Sequence, residues 1–230
     1  LGFNLLGDGL NDALNPRTCD RAIPHGRISL SFTALFTVAM AALFIGSAQM
    51  LNRTCLLLSP VALLIILGYS YTKRFTMLSH FVLGLSLAIA PAAAWIGIRE
   101  SLDIFPALLS LGVLFWVSGF DIIYACADMR FDAEQSLHSI PAKFGLKKSL
   151  RISALCHAAA LTCFALLIPL TPLGIFTIIG CALMFLLLFY EHLIVKPDDL
   201  RRLNEAFFAV NVAVGLILMF STLLDLFTRR

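Results

Sequence analysis

Charged residues are scarce in this sequence, and their scarcity excludes an ordinary soluble domain. Only 13% of the 230 residues are charged, whereas 60% are hydrophobic and the mean hydropathy is +0.91. A soluble domain typically carries about 25% charged residues. The formal net charge is only +3, which leaves no basic footprint for nucleic acid. The composition therefore predicts a polytopic membrane protein.

Cysteine and histidine do not occur at the spacings of metal or redox sites. The six cysteines form no CxxC pair, and the five histidines are scattered along the chain. Cysteines inside apolar runs are typically small buried core residues. From the sequence we therefore assign no role to either residue type.

Apolar runs of roughly 17–25 residues, each long enough to cross a bilayer, follow one another along the chain. They lie at 30–50, 55–72, 81–98, 104–127, 150–170, 173–195 and 205–227. We expect residues 1–12 to end a further helix and residues 13–29 to form a polar loop. The pattern predicts an all-α transmembrane bundle with seven complete spans, in a single domain that covers residues 1–230.

The loops between these spans differ in charge. Those at 13–29, 73–80, 128–151 and 196–204 fall on one side and hold 13 of the 17 basic residues. Lys and Arg accumulate in cytoplasmic loops. We therefore expect these four loops to face the cytoplasm.

Three carboxylates, Asp121, Asp128 and Asp132, follow one apolar run at spacings of seven and four. These spacings are close to two turns and one turn of a helix, so the three acids and Tyr124 are predicted to share one stripe. Asp121 then lies about 10 Å deeper than Asp128. A carboxylate inside a membrane segment marks a functional site by default, whereas the alternative is a helix end with solvated acids.

A second polar cluster, Asn4, Asp8 and Asp12, argues against solvated acids. Asp8 and Asp12 stand 120 residues before Asp128 and Asp132, which indicates an internal duplication with halves of about 1–120 and 121–230. Basic residues follow both clusters: Arg17 and Arg21 after the first, and Lys143, Lys147 and Lys148 after the second. Two acid clusters followed by basic residues suit divalent cations and a polyanion.

Tyr69 and Lys73 are four residues apart at the end of the second span, on the side of both acid clusters. Alone, such a pair is more often an interfacial anchor. Beside two acid clusters it predicts a phosphate-binding element, with Lys73 as a point charge and Tyr69 as a hydroxyl donor.

These parts together favour chemistry on a diphosphate with a long hydrocarbon tail. Mg²⁺ typically bridges one or two carboxylates to substrate phosphates, so two clusters can hold two ions around one diphosphate. Loss of diphosphate from an allylic carbon leaves a carbocation, which requires a nearby nucleophile and exclusion of water. Asp121, deeper than the metal ligands, would stabilise that cation or position the acceptor.

The motifs resemble those of the UbiA superfamily of intramembrane aromatic prenyltransferases. Asn4-x3-Asp8-x3-Asp12 and Asp121-x6-Asp128-x3-Asp132 are similar to its two signature motifs, and Tyr69-x3-Lys73 to its YxxxK element. The flanking stretches 15–24 and 73–76 look most like the 4-hydroxybenzoate polyprenyltransferase branch.

The resemblance implies a bundle of nine helices, of which this chain holds seven and the end of the second, with helix one absent. It implies Mg²⁺ held through diphosphate by Asn4, Asp8, Asp128 and Asp132, with Asp12 assisting. We predict that the diphosphate-binding residues are Tyr69, Lys73, Arg17, Arg21 and Tyr124. We predict that the catalytic residues are Asp121, Asp8 and Asp128.

By this resemblance the protein transfers a polyprenyl group from polyprenyl diphosphate to an aromatic acid such as 4-hydroxybenzoate, in quinone biosynthesis in a bacterial inner membrane. Prenylation of a dihydroxynaphthoate for menaquinone is the alternative within the family. An ion-coupled transporter is the alternative from another class, since repeats with midplane acids occur there. A phospholipid head-group transferase fits less well, because its contiguous aspartate motif has only a partial counterpart at Asp8-Gly9.

Overall fold

The computed structural model describes residues 27–171 and 173–228, and this part of the chain is built from helices and turns. The α-helices are α1 (Leu30–Leu51), α2 (Arg53–Thr72), α3 (Ser79–Arg99), α4 (Ile104–Ala125), α5 (Met129–Glu134), α6 (Ile140–Leu167), α7 (Ile175–Ile194) and α8 (Asn211–Thr228). A 3₁₀-helix, Cys126–Asp128, joins α4 to α5, and a π-helix, Glu205–Val210, leads into α8.

Seven helical segments in the described residues are long and apolar enough to cross a membrane, which confirms the predicted all-α transmembrane bundle. Large hydrophobic side chains point outwards from these helices. Leu35, Leu64 and Leu155 are 70%, 74% and 70% exposed, respectively. Such surfaces suit contact with lipid rather than water, and the protein is an integral, multi-pass membrane protein.

Helix α4 lies at the centre of the bundle, where it packs along α3 and α6. It buries eight residues, whereas α1 at the periphery buries only Thr33 and Ala48. Small residues allow the helices to approach closely. The hydroxyl of Ser153 on α6 donates to the carbonyl of Gly119 on α4 over 2.7 Å. Because α4 leads into the second acid motif, this packing fixes the position of that motif.

Gly84→Ala is expected to destabilise the contact between α3 and α4. A Cβ at Gly84 would lie 2.5 Å from the carbonyl oxygen of Leu114 and closer still to Oγ of Ser118. Overpacking of this kind typically costs about 1–3 kcal/mol. Gly46→Ala is the matched control, because a Cβ there meets nothing within 4 Å. Thermal unfolding in detergent should give a clearly lower Tm for the first variant, and equal Tm values would contradict this packing.

The start of α7 is capped by a side chain from the far end of α8. Gly174, at the N-cap, offers no side-chain acceptor, and the carboxylate of Asp225 instead accepts from the N–H groups of Phe176 (3.2 Å) and Thr177 (2.7 Å). We expect Asp225→Ala to lower the free energy of unfolding by about 2 kcal/mol, because it leaves orphan N–H donors at a helix start. Asp225→Asn, which keeps one acceptor, should lose less in the same thermal assay. The reverse order would exclude the cap.

The predicted spans agree with the observed helices within two residues, except at α6, when the π-helix and α8 are taken together as one segment, Glu205–Thr228. The expected loop 128–151 is wrong, because it contains α5 and the first part of α6. The side chain of Ser139 caps α6 by accepting from the N–H of Ala142, and Pro141 fits the first turn. Gly145, with φ of +75°, then kinks the helix. The polar start of α6 therefore precedes the apolar span instead of forming a loop.

Candidate active site

The YxxxK element and the second acid motif meet at one end of the bundle. Nζ of Lys73 lies 2.6 Å from Oδ1 of Asp132, a carboxylate with 0% exposure. The turn after α5 is hydrogen-bonded to the same end of α2, because the N–H of His138 donates to the carbonyl of Lys73 over 2.7 Å. The N–H of Leu137 donates to the carbonyl of Asp132 over 2.8 Å. The end of α2, helix α5 and the turn after α5 are therefore linked to one another by an ion pair and hydrogen bonds.

Asp121 is paired with a histidine, His80, whose spacing in the sequence predicts no role. Oδ2 of Asp121, on α4, lies 2.6 Å from Nδ1 of His80, on α3. The imidazole is almost fully buried, and its Nε2 accepts from the N–H of Ile140 over 3.3 Å. From the sequence we assign no role to His80, and the structure shows that it contacts both Asp121 and Ile140. A histidine in an apolar run gives no local signal of a partner 41 residues away.

The helix predicted to run unbroken from Asp121 to Asp132 is interrupted. Residues Cys126–Asp128 form a 3₁₀ turn, whose three residues per turn break the expected stripe. Asp128 closes this turn and is half-buried. The two flanking acids consequently have different partners, Asp121 on α3 and Asp132 at the end of α2.

The two predicted tyrosines lie at the same end of the bundle. Tyr69 is half-buried in the last turn of α2, one turn before Lys73. The ring of Tyr124 stacks on the ring of Phe207 with centroids 4.0 Å apart. The stack ties α4 to the π-helix that precedes α8. The first acid cluster and its arginines lie outside the described residues: Asn4, Asp8, Asp12, Arg17 and Arg21.

The described acids fit a metal that is shared with a phosphate better than a closed metal cage. Among residues 27–171 and 173–228, no group of three or more His, Cys, Asp or Glu side chains can hold a metal ion. Asp128 and Asp132 nevertheless supply carboxylate oxygens, and Oδ2 of Asp132 has no hydrogen-bond partner in this part of the chain. Mg²⁺ is commonly bound by one or two carboxylates and completed by phosphate and water. The donor set is of this kind.

The basic loop after α7 is neutralised by its own acids. Arg201 donates to both carboxylate oxygens of Asp199, over 2.9 and 2.8 Å. This hydrogen bonding holds the pKa of the Asp199 carboxyl well below its usual range. Arg202 likewise donates to both oxygens of Glu205. Arg201 and Arg202 therefore already have carboxylate partners, unlike an arginine whose charge is open to an anionic ligand.

Comparison with known proteins agrees with this arrangement. A model of the UbiA prenyltransferase family matches residues 1–214. The 4-hydroxybenzoate octaprenyltransferase of Idiomarina loihiensis is 28% identical over 207 residues, which cover 86% of this chain and 73% of that protein. The enzyme of the same name from Nitrosospira multiformis is 28% identical over 214 residues, which cover 93% and 73%.

Among solved structures, the apo structure of a UbiA homologue from Aeropyrum pernix K1 is similar to this chain with a TM-score of 0.89 and 33% identity. The match covers 98% of this chain and 83% of the other. Sequence and fold thus agree over nearly the whole chain. The chain belongs to the UbiA prenyltransferase family.

Proposed function

We propose that this protein transfers a polyprenyl group from a polyprenyl diphosphate to an aromatic acid such as 4-hydroxybenzoate, with release of diphosphate. The ion pair between Lys73 and Asp132 carries the proposal, because it joins the basic element to the second acid motif. The name shared by the relatives from Idiomarina and Nitrosospira supports the choice of acceptor.

In this proposal the two acid motifs hold Mg²⁺ against the diphosphate. The ligands are Asn4, Asp8, Asp12, Asp128 and Asp132. The bound ion neutralises charge on the diphosphate and makes it a better leaving group. Lys73 is the principal basic contact, and the further contacts are Tyr69, Tyr124, Arg17 and Arg21. Lys73 can exchange Asp132 for phosphate because its side chain is still 33% exposed.

The reaction breaks the bond between the allylic carbon and the diphosphate oxygen, and the electron pair leaves with diphosphate. A ring carbon of the aromatic acid forms the new bond to the allylic carbon, and its proton then passes to the released diphosphate, which restores the aromatic ring. Asp121, seven residues before Asp128, is placed beside the reacting carbon, where a carboxylate stabilises the developing positive charge. Its side chain is 23% exposed, so the carboxylate is not fully enclosed by the protein.

Two alternatives predict different products. A dihydroxynaphthoate acceptor would place the protein in menaquinone biosynthesis and requires the same diphosphate chemistry. An ion-coupled transporter would need polar groups along a path through the membrane. The pairing of Lys73 with Asp132 at one end of the bundle favours phosphate binding over such a path. The basic loops support a bacterial inner-membrane protein whose motif loops face the cytoplasm.

The test offers 4-hydroxybenzoate and a dihydroxynaphthoate in parallel to membranes that carry the protein, with Mg²⁺ and a polyprenyl diphosphate. A prenylated 4-hydroxybenzoate is the expected product. A prenylated naphthoate alone would move the protein to the menaquinone alternative. Ion flux without release of diphosphate would overturn the enzymatic proposal in favour of transport.

A further inference from the structure

We propose that His80 is a positioning residue that fixes the carboxylate of Asp121 and couples it to the turn that follows the second acid motif. The role in turnover rests on the proposed function, because it is there that Asp121 is placed beside the reacting carbon. The coupling itself rests only on the contacts of the described residues.

The hydrogen bonds of His80 determine which ring nitrogen carries the proton. Nε2 faces the backbone N–H of Ile140. A backbone N–H can only donate, so Nε2 must be the unprotonated nitrogen that accepts this hydrogen bond. Nδ1 therefore carries the proton and donates it to Oδ2 of Asp121 over 2.6 Å. The imidazole is neutral in this arrangement, and the pair retains the single negative charge of Asp121.

Burial separates the roles of the two residues. His80 is 3% exposed, so its ring does not reach a substrate, whereas the carboxylate of Asp121 keeps 23% exposure. Anything that His80 contributes must therefore pass through Asp121. A neutral donor orients the carboxylate without cancelling its charge, which suits a group that faces a developing cation.

The backbone of His80 is also held in place, by a hydrogen bond from a side chain of α4. The hydroxyl of Ser118, on α4, donates to the carbonyl of His80 over 3.2 Å. Gly84, one turn further along α3, allows the close approach of Ser118. The backbone that carries the imidazole is thus held by a close contact between α3 and α4, in addition to the hydrogen bonds of the ring itself.

The hydrogen bond from the N–H of Ile140 connects the pair of His80 and Asp121 to the end of the bundle where Lys73 and Asp132 meet. Ile140 begins α6 directly after the turn whose His138 N–H is bonded to the carbonyl of Lys73. A chain of contacts therefore runs from Lys73, through the turn and the imidazole, to Asp121. We infer that ordering of the turn around a bound diphosphate is transmitted to the carboxylate at the reacting carbon.

Thermal unfolding tests the coupling without reference to activity. His80→Ala and Asp121→Ala should each lower the Tm in detergent, because each leaves the partner without its hydrogen bond. The double variant should then have a Tm close to that of the less stable single variant. If the Tm shifts of the two single variants add up in the double variant, His80 and Asp121 are not coupled.

Turnover tests the positioning role with two conservative variants. The amide nitrogen of Asn lies close to the place of Nδ1, whereas the amide of Gln reaches the place of Nε2. We expect His80→Asn to stay within about fivefold of the original kcat. We expect His80→Gln to lose about 10–100-fold in kcat with little change in KM for the prenyl diphosphate, since small misplacements near the reacting atoms have effects of this size.

Gln49→Asn is the control and should leave kcat unchanged, because its side chain is exposed on the peripheral helix α1. Equal kcat values for His80→Asn and His80→Gln would overturn the positioning role. If the unmodified protein transfers no prenyl group at all, the proposed function fails instead, and the thermal experiment alone decides whether His80 and Asp121 are coupled.

Discussion

Asp132→Ala is expected to abolish prenyl transfer, with a loss of about a thousandfold or more in kcat, while the protein still inserts into the membrane. The variant removes one of the two described carboxylates, Asp128 and Asp132, that are proposed as metal ligands. Loss of a metal ligand forfeits several kcal/mol of charge stabilisation in the transition state, which corresponds to a change of this size. The measurement is the rate of diphosphate release at saturating polyprenyl diphosphate and Mg²⁺. Asp198→Ala, which removes an exposed carboxylate on the same side, should retain the original rate.

Asp132 also pairs with Lys73, and a charge exchange separates that structural contact from metal binding. Lys73→Asp combined with Asp132→Lys restores opposite charges across the contact. It does not restore the carboxylate at the metal position or the cation at the phosphate. We expect this double variant to unfold near the original Tm and to remain inactive. Recovery of activity by the exchange would assign Asp132 to the ion pair alone.

Lys73→Met is expected to raise KM for the polyprenyl diphosphate at least about tenfold. Met keeps much of the length of the side chain but lacks the charge that is proposed to contact the phosphates. The same change leaves Asp132, a fully buried carboxylate, without its counter-ion, so the Tm should fall as well. Steady-state kinetics with the prenyl diphosphate varied at fixed acceptor provide the measurement.

Two further variants identify the cause of that change. Lys73→Arg keeps the charge and should recover much of the affinity, although the planar guanidinium does not reproduce the geometry of an ammonium. Arg53→Met removes an exposed positive charge at the opposite end of the bundle and should leave KM unchanged. An unaltered KM in Lys73→Met would make Lys73 an interfacial anchor, the role that a lone YxxxK pair favours.

The positions of most spans were predictable because hydropathy is a local property. A run of apolar residues must be helical in a bilayer to satisfy its own backbone, so its limits follow from composition alone. The exception is α6, whose polar beginning carries lysines, so that hydropathy alone predicts a loop there. The signal was nevertheless present in Ser139 and Pro141, which mark the first turn of a helix.

The contacts between the motifs were harder to predict from the sequence. Spacing indicated that Asp121, Asp128 and Asp132 belong together, but it did not reveal the 3₁₀ turn that separates their environments. His80 gave no signal at all, because a single histidine beside an apolar run looks the same whether or not it has a partner. The metal and diphosphate roles given to the site residues stay predictions.

The sequence by itself determined the seven segments of the described residues that are long and apolar enough to cross a membrane. It also predicted that the acids and basic residues gather at one side, since both statements follow from residue types counted along the chain. Only the tertiary structure decided that Lys73 meets Asp132 and that His80 meets Asp121. The first pair joins the end of α2 to α5, and the second joins α3 to α4. At the contact between α3 and α4, Gly84 allows the two helices to approach closely. Local structure follows from the periodicity of the sequence, whereas the choice of contact partners depends on how the helix surfaces fit together.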